Sequence, residues 1–334
     1  MNIRDRRAIH QTAARALDTA SGNPGNIALV YAFICSVMAL AMTVVTGVLT
    51  DRIGNTGGLS NIGLRSILST GQTVLPIVQL VVTACLNLGY QICVLRIARG
   101  QDAAPGTLMD GFRNFGPILR AMFFQMLLYF SYGFLTMYLS SFIFMMTPFA
   151  QSFLTLMEPV LASAELSGGL VLDEATLFSA MQAMIPMLWI WLGLFLLLFI
   201  PAWYGYRMVT FCIADNPRKG ALASLHQSKM MLRRNRFALF RLDLTMWWFY
   251  ALQILFSCLA YGDVILPMLG ISLNWNPTFS YYFFFLLSLV LQVLTYYFLL
   301  NRVNVTYAVA YDTLLNREES PVVQEENLPF PTEY

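Results

Sequence analysis

Apolar residues gather into six runs, at 27–50, 74–95, 121–146, 181–206, 244–260 and 281–300, and the charged residues fall between them. A bilayer core needs roughly twenty apolar residues in helical form, because backbone N–H and C=O groups cannot be left unpaired in hydrocarbon. Most of the runs meet that length. The run 244–260 is the shortest, and extends to Leu266 only by taking in Asp263. The pattern predicts an all-α polytopic membrane helix bundle with six transmembrane helices.

The charges between the runs set the orientation. Lys and Arg number four before Asn26, two in 51–72, four in 96–120, none in 147–180, eight in 207–241, none in 262–280 and two after Leu300. Alternate regions therefore carry eighteen against two. Basic residues stay on the cytoplasmic side, so both termini are expected in the cytoplasm and the protein in the cell membrane. The loop 147–180, with Glu158, Glu165, Asp173 and Glu174 and no base, suits the outer face. A net charge of +2 hides this polarity.

Spans and loops use nearly all of the 334 residues. The expected organisation is an amphipathic cytoplasmic segment over 1–26, a membrane domain over 27–315 and an acidic tail over 316–334. That tail carries Glu318, Glu319, Glu325 and Glu326 with Pro321, Pro329 and Pro331, cannot bury a core, and is expected to be disordered. The first run is too long for the apolar part of a signal peptide and is expected to remain as an anchor. Cys35, Cys85, Cys93, Cys212 and Cys258 lie within or at the ends of runs, where no disulfide is expected.

An internal repeat is visible. Gly89-Tyr90 to Ile97-Ala98 returns as Gly205-Tyr206 to Ile213-Ala214, with the same seven-residue step from Tyr to Ile. Each copy closes an inward-running span and is followed by a Pro-containing loop, a polar helical segment and an outward span. Residues 3–17 have the character of the polar segment, and 301–312 echo the other end. The implied unit is a cytoplasmic surface helix and two spans, used about three times in one orientation.

Two of the polar segments carry helix-start signals. Asn216-Pro217 offers a capping side chain and a proline for the first turn, and Thr107 with Asp110 resembles a capping box. In the segment 221–241, His226, Lys229, Arg233 and Arg236 fall at steps of three, four and three and share one side of a helix at about 100° per residue. Ala221, Leu225, Ser228 and Leu232 form a less polar stripe beside them. Such a segment can lie in the membrane interface with its bases toward anionic headgroups, each cation contributing about 1 kcal/mol. The expected partners are therefore membrane lipids rather than nucleic acid.

Inside the spans polarity is confined to amides and hydroxyls, notably Gln79, Asn87, Gln91, Gln125, Gln253 and Gln292. With no acid or base near a span centre, proton-coupled pumping is disfavoured. The amides either hold helices together or line a polar path. Pro76, Pro186, Pro201 and Pro267 are expected to kink or bound spans. No metal-ligand spacing, nucleophile elbow or phosphate-binding loop is present, so no cofactor is expected; Asp215, His226 and Asp243 would make an enzyme only if a cytoplasmic pocket drew them together.

The stretch Ala214-Asp215-Asn216-Pro217, with Ala221-Leu222, Ser228, Met231, Asn235, Phe237, Leu239-Phe240, Leu242 and Leu244, resembles a bacterial family called domain of unknown function 975. Ile3-Arg4, Ala13 to Leu17 and Gly22-Asn23 look similar as well. The resemblance implies a multi-span bacterial membrane protein of unassigned activity, distantly like the membrane portions attached to some glycerophosphodiester phosphodiesterases. It carries over no catalytic residue. The expected function is that of a non-enzymatic, lipid-contacting scaffold or accessory subunit, with transport of a small solute or peptide through the amide-lined core as the alternative.

Overall fold

In a computed structural model, the protein is all-α, with no strand among the described residues. The structure describes residues 3, 5–20, 23–55, 62–167, 174–268, 270–271 and 275–326, with side chains set aside at 54–55, 62–65, 159–167, 174–178, 180–181, 277 and 317–326. In chain order the helices are α1 (Arg6–Asp18), α2 (Pro24–Asn55), α3 (Ile62–Ala98), α4 (Asp110–Arg113), α5 (Phe115–Met145), α6 (Pro148–Ser167), α7 (Glu174–Leu194), α8 (Ile200–Gly205) and α9 (Val209–Asp215). After these come α10 (Ala221–Leu232), α11 (Arg236–Asp243), α12 (Trp247–Ala260), α13 (Gly262–Met268), α14 (Pro277–Thr295) and α15 (Asn301–Glu326).

Among the described residues six stretches are long and apolar enough to cross a membrane: Pro24–Ile53, Ser66–Ala98, Phe115–Met145, Gln182–Asp215, Arg236–Ala260 and Thr278–Asn316. They match the six apolar runs in number and order. The shortest run, 244–260, becomes a 25-residue stretch by drawing in α11, which the 3-10 turn Leu244–Met246 joins to α12. The fourth and sixth are interrupted by π-helical turns, Phe195–Phe199 and Tyr296–Leu300. Pro201, which has no N–H to donate, follows the first of these, where the Ile200 N–H reaches back to the Phe195 carbonyl.

The chain separates into two compact units, Phe123–Arg207 and the remainder. In the smaller unit α6 packs on α7, so the expected outer loop is largely helical; Glu165, Asp173 and Glu174 lie outside the described side chains. Half-buried rings pair within it: Phe195 stacks on Phe199 at 4.4 Å, and Tyr129 meets Phe199 at 5.7 Å. In the larger unit α2 lies along α3, α12 along α14, and α15 against both α1 and α3, while α9 packs between α3 and α10. The last helix is described as backbone to Glu326, and the expected disordered tail otherwise lies outside the described residues.

Burial is uneven. The apolar windows of the six stretches are only 0–44% buried, and Phe33, Phe123, Trp189 and Phe298 stand more than 60% exposed. Such sides suit lipid, which is as apolar as they are. The packed core of the larger unit lies where the basic segments gather. There Ile9, Leu88, Tyr90, Leu108, Ile213 and Leu239 are almost fully buried.

Two glycines allow the closest approach in this core. A Cβ on Gly89 would stand 2.0 Å from the Leu108 carbonyl oxygen, and one on Gly111 would stand 2.0 Å from that of Cys85. The turn Pro105–Met109 and α4 therefore lie backbone to backbone on α3. Because the obstacle is main chain, neither site can relax by moving a side-chain tip. Gly89→Ala and Gly111→Ala should each lower stability by at least the ~1–3 kcal/mol typical of overpacking. Thermal unfolding in detergent checks this, against Gly116→Ala, where a Cβ meets nothing within 4 Å.

Candidate functional site

The ends of α3, α9 and α15 meet at one guanidinium. Arg99, just past α3, places Nη1 2.5 Å from Asp215 Oδ1 at the end of α9, and Nη2 2.7 Å from Asp312 Oδ1 in α15. Its Nε also donates to both oxygens of Asp312, at 3.2 and 3.3 Å. Tyr311 donates to the other oxygen of Asp215 at 3.2 Å, and its ring stacks on Phe211 at 5.8 Å. The three charged side chains keep only 23–32% of their exposure. The fork to Asp312 foremost, and then Asp215, holds the Arg99 pKa above its ordinary value against the opposing effect of burial.

Uncharged bonds extend this layer. Tyr90 donates to Asn301 Oδ1 at 2.6 Å, and the Asn301 amide donates to the Pro24 carbonyl, joining α3, α15 and the start of α2. Tyr307 in α15 donates to Asp243 at 2.5 Å, which leaves its oxygen to accept from Tyr250 at 2.6 Å. Arg96 reaches both Thr107 at 3.3 Å and Asp110 at 3.5 Å. Those two residues serve Arg96 and form no capping box. On α1, His10 Nε2 lies 2.8 Å from Thr245 Oγ1, whose own proton goes to the Leu242 carbonyl at 2.6 Å. The network therefore assigns the proton to His10 Nε2. Burial first, then Arg302 and Arg6, pushes the pKa of His10 down.

The basic segment differs from its expected form in three ways. Asn216 makes no side-chain cap, because Pro217 opens a 3-10 turn and the chain enters α10 only through Gly220 at φ +82°, a conformation natural to glycine. The helix then breaks over residues 233–235, where the Asn235 amide takes the Met231 carbonyl at 3.1 Å and ends α10. His226, Lys229 and Arg233 stay exposed, but Arg236 lies beyond the break, half-buried with Nε enclosed and unpaired. Finally, the stripe Ala221, Leu225, Ser228 and Leu232 is buried within the protein.

The six core amides fall into separate groups. Gln253 and Gln292 join α12 to α14 through a 3.2 Å bond, with the Tyr296 hydroxyl beside both. Gln91 reaches Asn87 at 3.4 Å and Asn304 at 3.3 Å. Gln125 belongs to the smaller unit, bound to Tyr129 at 2.7 Å and near the Tyr206 carbonyl. Gln79 is half-buried in α3. Asp215, His226 and Asp243 also have separate settings: Asp215 is held by Arg99 and Tyr311, Asp243 by Tyr307, and His226 is exposed.

Arg99 and Asp312 escape a reading based on spans, yet a signal exists. Ile97-Ala98 is followed by Arg99, and Ile213-Ala214 by Asp215, so two like dipeptides are followed by opposite charges. Arg6, Arg234 and Arg241 were likewise passed over, although Arg234, Phe237 and Arg241 are spaced for one helix face.

Six membrane-length apolar helices among the described residues, with a polar layer at the ends of α3, α9 and α15, define a multi-pass, all-α membrane protein. Residues 4–318 match the family described as protein of unknown function (DUF975), and the chain belongs to that family. Comparison with curated proteins and with solved structures finds no match.

Two measurements test the layer. Arg99→Ala leaves two carboxylates facing each other and should cost about 1–3 kcal/mol, below the figure for fully buried pairs because water reaches the cluster. Paired with Asp312→Asn in a double-mutant cycle of thermal unfolding, it should show clear coupling. For His10 the unfolded chain binds more protons than the folded one, so its contribution is present above the ordinary value of 6.5 and is lost as pH falls below it through the lowered folded value. The melting temperature should drop between pH 7.5 and 5.5, and His10→Gln should reduce that drop.

Proposed function

We propose that this protein is a non-enzymatic membrane protein, a scaffold or accessory subunit, whose cytoplasmic layer rests on anionic lipid headgroups. One observation carries the reading. At the basic end the acids Asp110, Asp215, Asp243 and Asp312 are engaged by arginine or tyrosine, while His226, Lys229, Arg233, Arg234 and Arg241 are exposed with no carboxylate partner among the described residues. Asp5, Asp18 and Asp102 are exposed as well, but on α10 and α11 the exposed charge is all positive. The positive-inside rule puts this face in the cytoplasm, against the leaflet that carries anionic lipid.

Three repeated units supply a rationale for the layer. Arg99 and Asp215 follow the two Ile-Ala pairs of the expected repeat, and the Tyr311-Asp312 pair meets them from the segment that echoes its end. The alternative reading, a small-solute or peptide transporter, has one observation on its side: Gln253 Nε2 is enclosed without a partner beside Gln292 and Tyr296. The division of the amides into separate groups weighs against it.

Each exposed cation near an anionic leaflet contributes about 1 kcal/mol, or roughly fivefold in binding. In native mass spectrometry from lipid nanodiscs, Lys229→Ala and Arg233→Ala should each reduce retained acidic lipid severalfold relative to the unaltered protein, with zwitterionic lipid unchanged. Equal retention of acidic lipid would remove the reading.

A further inference from the structure

A cavity of about 210 Å³ opens where α1 meets α11, lined by Arg6, Arg234, Phe237, Ala238 and Arg241. That is many times the ~10–15 Å³ a single water molecule needs. Three of its five lining residues are arginines, and none of the three has a carboxylate partner among the described residues. The nearest acid in sequence, Asp5, is engaged elsewhere: its carboxylate caps α1 by accepting the Ala8 N–H at 3.2 Å. Three guanidinium groups around one opening repel each other until an anion sits between them.

The walls are held in place. Phe237, Ala238 and Arg241 fall at steps of one and three on one side of α11, and Arg234, in the turn before it, lines the same opening. The other side presents Leu239 and Leu242, both fully buried, to the core. The Arg241 guanidinium carbon lies 5.9 Å from the centre of the Phe237 ring, which supports it by a cation–π contact. From Phe237 an exposed apolar strip runs through Phe240, Leu244 and Trp247, at steps of three, four and three, into the membrane-length stretch that begins at Arg236. The opening is therefore cationic at the end of the stretch and leads directly onto a surface built for hydrocarbon.

We infer that Arg6, Arg234 and Arg241 form a binding site for the phosphomonoester headgroup of a membrane lipid, with the acyl chains lying along Phe240, Leu244 and Trp247. A phosphomonoester carries about −1.5 to −2 charges near neutrality, against one for a phosphodiester, and offers three oxygens to forked guanidinium donors. Three arginines match the former better. The inference rests on the headgroup reading above but adds what that reading lacks, a defined pocket and a preference between two acidic lipids.

The test uses full-length protein in nanodiscs holding phosphatidic acid, phosphatidylglycerol and phosphatidylcholine, with bound lipid counted by native mass spectrometry. Arg234→Gln/Arg241→Gln and Arg6→Gln should lower the preference for phosphatidic acid over phosphatidylglycerol at least tenfold, while acidic lipid is still favoured over phosphatidylcholine. Ala238→Glu, which places a carboxylate in the cavity and removes no arginine, should do the same; thermal unfolding shows that each variant remains folded. Lys229→Gln/Arg233→Gln should reduce all acidic lipid and leave the ratio of the two intact. An unchanged ratio in the pocket variants overturns the site and leaves the general headgroup reading standing. If the Lys229 and Arg233 substitutions also change nothing, both fall. Inorganic phosphate added at millimolar concentration should leave bound phosphatidic acid in place; displacement of the lipid at that concentration would assign the pocket to a soluble phosphate and overturn the lipid assignment.

Discussion

Apolar side chains gain little by turning from lipid tails to one another, so membrane helices are not driven together by the hydrophobic effect that organises soluble cores. This constraint explains the uneven burial of the protein. Where the stretches are purely apolar, as in much of α2, α5 and α12, large side chains remain open to the surroundings. Specific packing is found where water, charge and hydrogen-bond donors are available to direct it, at the ends of α3, α9 and α15 with α1, α10 and α11 against them. Arg99 is the clearest case, one side chain satisfying two carboxylates from two other parts of the chain.

The same end is arranged electrically in two shells. The described acid side chains on α9, α11 and α15 face inward, so that Asp243 at 9% exposure meets Tyr307 and Asp215 meets Arg99 and Tyr311. Bases without such partners face outward on α10 and α11. The proposed contact with an anionic leaflet and the orientation expected from the positive-inside rule draw on one set of arginines and lysines.

The spans were legible in the sequence because length and greasiness alone decide them; only their ends moved, as α11 lengthened the fifth stretch to 25 residues. Local signals at the basic end were less reliable guides. Asn-Pro caps a helix at Asn276-Pro277, where the Asn276 side chain accepts the Thr278 N–H, yet at Asn216-Pro217 it does not, since Gly220 redirects the chain first. The segment 221–241 read as one amphipathic helix because its period continues through residues 233–235, and periodicity does not register an asparagine that turns back onto a carbonyl. Its less polar stripe looked suited to lipid and instead faces protein, a distinction that composition cannot make. The Arg99 cluster was out of reach for a different reason: its members lie 116 and 213 residues apart.

That separation has a temporal side. Arg99 gains Asp312 only after 213 further residues have been made, His10 waits 235 for Thr245, and the Pro24 carbonyl waits 277 for Asn301. At the ~5–20 residues per second of a ribosome, Arg99 emerges about 10–40 s before its second carboxylate. The early helices are therefore made well before these partners, and the clasp between them closes only once α15 has been delivered.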